Sequence, residues 1–102
     1  MKKLYYYQDR DDKKIFECEV IKETEKTYVV KMPYEKVVRK DIMSMGVGEL
    51  FWRTYFFETK ERAEKSHLNY LKNRIMNYER EAKYRLEKAE EYKKLVKNIY
   101  GE

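Results

Sequence analysis

Apolar side chains return along this chain at two different intervals, and the change of interval divides it in two. From Lys60 to about Tyr100, roughly forty residues pass without Pro or Gly and apolar positions recur at alternating steps of three and four. Leu68, Leu71, Ile75, Tyr78, Ala82, Ala89, Tyr92, Val96 and Ile99 fall on one a/d seam, which Arg85 alone interrupts. This spacing predicts one continuous helix, about 60 Å long at 1.5 Å per residue, and too long to be covered by its own small domain. Thr59 is placed to cap its start and Gly101 its end. Glu61 with Lys65, Glu79 with Lys83, Glu81 with Arg85 and Glu90 with Lys94 are acid-first i,i+4 pairs that support it.

Upstream the period falls to two. Lys3 to Tyr7 reads as a short aromatic strand, and Gln8 to Lys13 as a charged turn. In Lys14 to Glu23, Phe16, Cys18 and Val20 share one face while Glu17 and Glu19 share the other. A reversal at Thr24, Glu25 and Lys26 leads into Thr27 to Met32, where Tyr28, Val30 and Met32 face inward, so these two strands should form a hairpin. Pro33 interrupts the ladder, and Lys36 to Lys40 gives another strand around Val37 and Val38. Asp41 to Leu50, with Gly46 and Gly48, reads as a turn of helix and a mobile loop. Phe51 to Phe57 closes the sheet, with Trp52, Thr54 and Phe56 on one face and Phe51, Arg53, Tyr55 and Phe57 on the other. The expected fold is α+β: a small five-stranded antiparallel barrel of SH3 or Tudor type over residues 1–57. The long helix of 58–102 packs on it and mediates oligomerisation, the whole forming one structural domain. The helix is expected to cover the barrel as far as about Ile75.

Composition adds solubility and little else. Charged residues make up 42% of the chain and mean hydropathy is −1.02, yet aromatic residues reach 16%, well above what a disordered chain carries. The net charge of +5 would suit an anionic partner. It is spread evenly, however, with 12 basic and 10 acidic residues in 1–57 against 12 and 9 in 58–102, so any basic patch must come from position. One cysteine excludes an internal disulfide, the start turns polar too soon for a signal peptide, and no apolar run is long enough to span a membrane. A cytoplasmic protein is expected.

Catalytic parts are missing from the sequence. His67 and Cys18 are each the only residue of their kind, which leaves no metal cluster and no nucleophilic triad, so a binding protein without cofactor or metal is expected in place of an enzyme. Binding chemistry fits Arg39, Lys40 and Arg53 beside Trp52, Tyr55 and Phe57, because a guanidinium grips phosphate and an aromatic face stacks a base. Asn69, Asn73 and Arg74 near the root of the helix could add amide and guanidinium contacts. Leu71, Ile75, Tyr78, Ala82, Ala89, Tyr92, Val96 and Ile99 are the expected oligomer interface.

Three runs also carry a family resemblance. Val20-Ile21-Lys22-Glu23-Thr24-Glu25-Lys26-Thr27-Tyr28-Val29-Val30, then Val38-Arg39-Lys40-Asp41, then Phe56-Phe57-Glu58-Thr59-Lys60-Glu61-Arg62-Ala63 resemble small proteins of phages that infect Gram-positive bacteria. Anti-Thoeris sponges are of this general type. The resemblance implies a Tudor-like core with helices, oligomeric assembly, and sequestration of a cyclic nucleotide signal of host immunity or occlusion of a defence component, inside the bacterial host. It carries over no ligand residue. A small-barrel nucleic-acid-binding protein and a purely structural coiled-coil protein are the alternatives from other classes.

Overall fold

The computed structural model describes residues 2–50 and 52–101. Five strands form one antiparallel sheet: β1 (Lys3–Gln8), β2 (Phe16–Glu23), β3 (Thr27–Lys31), β4 (Glu35–Arg39) and β5 (Thr54–Phe57). They lie in the order β4-β3-β2-β1-β5, followed in the chain by a single helix, α1 (Lys60–Tyr100). The class is α+β. The sheet is a curled half-barrel, open between β4 and β5, where a closed barrel was expected. The reason lies in the segment before β5. Val47 and Thr54 exchange backbone hydrogen bonds at 2.9 Å in both directions, so the start of β5's free side is taken by this bridge.

The period-two segments pair as their patterns require. Val20 faces Val30 and Tyr28 faces Val38 across the ladders, and Leu4 faces Cys18. This brings Leu4, Cys18, Tyr28, Val30, Val38 and Phe56 into one buried cluster, joined by Met43 from a short 3-10 turn, Met43–Met45. A bulge between Val20 and Lys22 turns Ile21 out of the ladder and adds curl to β2. Burial holds the Cys18 thiol in its neutral form, its pKa pushed up to about 11.

The second face of β1 and β5 is covered as well. Tyr7 stacks on Tyr55 and Phe57 with ring centres 4.9 and 6.0 Å away, and against His67 of α1 at 5.1 Å. The Tyr7 hydroxyl and Ser66 Oγ share a 2.7 Å hydrogen bond, and Ala63 is fully buried. Thr59 caps the helix as its sequence position implies: the Arg62 N–H donates to Thr59 Oγ1 at 3.3 Å. At the far end Gly101 adopts φ +74° and donates to the Lys97 carbonyl at 2.9 Å.

The chain divides into two compact units, one running to Asn69 and the other from Tyr70. The division falls inside α1. In the second unit Leu71 is half-buried, whereas every described residue from Lys72 onward is exposed. Ile75, expected to be covered, is 56% exposed. Of the expected i,i+4 pairs, Glu81 with Arg85 forms at 2.9 Å, while Glu90 pairs with Lys93, one residue earlier than expected.

Candidate functional site

One concavity of the first unit lies where the curled sheet stays open. A recess of ≈ 450 Å³ is bounded by the end of β4 and the 3-10 turn on one side, and by the end of β5 and the first turns of α1 on the other. Lys40 and Ser44 come from the first side; Arg62, Lys65, Ser66 and Asn69 come from α1. The helix residues stand at i, i+3, i+4 and i+7, one polar face of the helix, which is why a single element can present all four together. Met43, Phe56 and Phe57 form the apolar floor.

The charges of the recess are unequal. Lys40, Arg62 and Lys65 line it with one acid, Glu58, which already accepts a 3.1 Å hydrogen bond from the Tyr28 hydroxyl, while Lys40 is paired with Glu23 outside the recess. Tyr28 in turn accepts from Lys2 Nζ at 2.8 Å, and the ammonium groups of Lys2 and Lys40 each lie 4.7 Å from its ring centre. Lys40 Nζ is held by Glu23 at 2.6 Å, with Lys2 on the other carboxylate oxygen at 3.3 Å. The hydrogen bond from Lys40, and then that from Lys2, hold the Glu23 carboxyl below its usual range. Among the described residues, Arg62 and Lys65 form no ion pair. Two uncommitted cations beside a positioned third make an electropositive surface suited to an oxyanion, with the hydroxyls of Ser44 and Ser66 and the Asn69 amide as neutral donors.

The structure gathers some of the expected site residues and disperses others. Lys40, Phe57 and Asn69 line the recess. Arg39 does not; it is the last residue of β4, its Nη2 donates to Asp41 at 2.7 Å, and with Lys40, Lys26, Glu25 and Asp41 it lines a separate concavity of ≈ 470 Å³. Trp52 and Arg53 were expected on the fifth strand, but β5 begins only at Thr54, and both precede it. Trp52 is 58% exposed and carries the Arg10 guanidinium 4.0 Å above its ring. Arg53 packs along the segment before β5, its Nη1 donating to the Met45 carbonyl at 3.4 Å. The turn Trp52 N–H to Glu49 carbonyl bends the chain there, which is what removes these two residues from the strand. Phe51, also assigned to that strand, lies outside the described residues. Phe57 is buried against Tyr7, so its face is taken by the protein.

Asn73 and Arg74 belong to the second unit, where Arg74 lies 5.8 and 5.6 Å from the ring centres of Tyr70 and Tyr78. The interface candidates Ile75, Tyr78, Ala82, Ala89, Tyr92, Val96 and Ile99 are all exposed there, and Leu71 is half-buried. His67, the sole histidine, is half-buried and its Nε2 is hydrogen-bonded to the Asp12 carbonyl oxygen. It is a docking residue for the 9–14 turn. The Val47 N–H of the Gly-Val-Gly segment is spent on Thr54, so it is not offered to a phosphate.

Sequence reasoning missed Arg62, Lys65, Ser44 and Ser66. The i, i+3, i+4, i+7 recurrence of Arg62, Lys65, Ser66 and Asn69 was a usable signal for the helix part. Among the described residues no cluster of His, Cys, Asp and Glu could hold a metal ion, and no helix is long and apolar enough to cross a membrane. Searches against protein-family models, characterised proteins and solved structures found no match to this chain.

Proposed function

We propose that the protein is a binding protein that captures a phosphorylated small molecule of the nucleotide class, working as an oligomer. The observation that carries this reading is the recess lined by Lys40, Arg62 and Lys65, of which Lys40 is paired with Glu23 while Arg62 and Lys65 are left without ion pairs among the described residues. Its size falls within the range of small-ligand sites. Arg62 supplies a planar fork for phosphate oxygens, Lys65 and Lys40 supply point charges, and Asn69 offers both a donor and an acceptor to a base or sugar edge. The resemblance to phage proteins of the anti-Thoeris type narrows the ligand to a cyclic nucleotide signal, and the function to relief of host defence by sequestration. On this reading the half-barrel is a Tudor-like core and the protein works inside the bacterial host.

Calorimetric titration with cyclic ADP-ribose variants and cyclic oligonucleotides, alongside phage growth on a defended host, tests this directly. Binding that is lost in the Arg62→Ala, Lys65→Ala double variant, together with rescue of phage growth by the wild type, is the expected result. An absence of both binding and rescue overturns it. A gel-shift series in which DNA or RNA binds and weakens steeply with salt would move the function to nucleic acid. Rescue that survives Arg62→Ala and Lys65→Ala but fails when Ile75 and Val96 are made Asp would move it to assembly alone.

A further inference from the structure

Leu68, in the first unit, is 52% exposed, and in the second unit the exposed seam of α1 runs from Ile75 to Ile99. Leu71 is half-buried, and from Ile75 to Ile99 every large seam residue is exposed: Ile75, Tyr78, Tyr92, Val96 and Ile99. Between them stand Ala82, Arg85 and Ala89. A parallel partner would set each residue against its own copy, placing Arg85 against Arg85 between two layers of paired alanines. That puts like charges in the seam and leaves the flanking layers thin. A partner of opposite direction faces a positions with d positions instead.

We propose that α1 pairs with a second copy of the same chain in antiparallel orientation, about a two-fold axis beside Glu87. In this register Ile75 meets Ile99, Tyr78 meets Val96, Ala82 meets Tyr92 and Arg85 meets Ala89, each twice by symmetry. Both large-against-small layers fall at the thin centre of the seam, and Arg85 lies over an alanine with its guanidinium free to reach water. Every exposed seam residue from Ile75 to Ile99 is covered with none left over.

The flanks agree with the same register. Glu79 comes opposite Lys93 of the second copy, again twice, giving two interchain attractions. Leu86, which lies off the seam and is 69% exposed, meets its own copy at the axis and so gains a reason to be apolar. The like-charge approaches are Lys88 with its copy and the two Arg85, which stand in adjacent layers about 6 Å apart along the axis; each Lys88 is already neutralised within its own chain by Glu91 at 3.2 Å and each Arg85 by Glu81 at 2.9 Å.

This inference rests on the self-association invoked above and adds its direction and register. The test mixes two single variants, Tyr78→Cys and Val96→Cys, under mild oxidation. Buried Cys18 stays silent, and the wild type is the blank. The mixture should give a disulfide-linked mixed dimer while neither variant links to itself, because in this register the self-pairs stand about 27 Å apart, eighteen residues of helix. Light scattering on the wild type should give twice the 12.7 kDa of one chain. Self-linked products would show a parallel pair, and a two-chain mass without the mixed product would exclude this register. A single-chain mass would overturn pairing altogether. A protein that pairs in this way yet binds no nucleotide sinks only the ligand proposal, and one that binds nucleotide as a single chain sinks this inference together with the oligomer part of the proposed function while leaving the ligand standing.

Discussion

The hydroxyl pair of Tyr7 and Ser66 ties the start of α1 to β1, and its worth can be isolated by a double-mutant cycle. Tyr7→Phe keeps the ring, and with it the stacking on Tyr55 and Phe57 and the tilted contact with His67, but removes the 2.7 Å hydrogen bond in a part-buried setting. A net loss of about 1 kcal/mol is expected, within the range of 0.5–1.5 for such bonds. Ser66→Ala removes the same bond from the other side, but alanine gains about 0.5 kcal/mol of helix propensity over serine. The single serine variant should therefore be destabilised by only about half as much as Tyr7→Phe. In the Tyr7→Phe background the bond is already gone, so Ser66→Ala should become stabilising by about 0.5 kcal/mol. The cycle cancels the propensity and leaves a coupling near 1 kcal/mol. Urea unfolding followed by circular dichroism, at one fixed protein concentration because assembly shifts apparent stability, provides the four values. If Ser66→Ala has the same effect in both backgrounds, the helix is not docked on β1 through this bond.

Three further outcomes follow from local geometry. Gly46 sits at φ +95° with Tyr55 Cε1 2.9 Å from where a Cβ would stand, so Gly46→Ala should lower stability by more than about 1 kcal/mol in thermal or urea unfolding. Gly101→Ala, at φ +74° with open space around it, should cost less. Thr59→Ala removes the cap on the Arg62 N–H and should cost about 1 kcal/mol, read in the same unfolding assay. Cys18 titrates from 9.0 in an open chain but only at about 11 in the fold, so the unfolded chain gives up its proton first and alkali favours unfolding. The Cys18 contribution should be flat below pH 9 and fall by about 2–3 kcal/mol between pH 9 and 11, at about 1.4 kcal/mol per pKa unit. Cys18→Ala should remove that part of the slope and leave the contribution of Tyr6, Tyr7 and Tyr55, whose hydroxyls desolvation also raises.

The helix and the β2–β3 hairpin were legible because their signals are local. Seam spacing, Thr59 and Gly101 gave α1 its bounds, and alternation placed Cys18, Tyr28 and Val30 inside. The fifth strand was read too long because Trp52 and Arg53 continue its aromatic and basic alternation, while the turn from Glu49 that breaks it depends on a backbone bond. The recess was harder still. Arg62 and Lys65 look in sequence like any solvated helix face, and only the approach of Lys40 and Ser44 across the opening of the sheet makes them a site. His67 finds the Asp12 carbonyl 55 residues away, a distance over which no local pattern speaks.

The two margins of the sheet have a consequence for how the protein behaves when crowded. β5 is only four residues long and its outer side is partly sealed by Val47, while β4 carries Glu35, Lys36 and Arg39 along a five-residue border. Neither offers the long, bare, uncharged ribbon on which strands from other molecules add one after another. A chain this rich in tyrosine thus leaves strands of neighbouring molecules little edge on which to add.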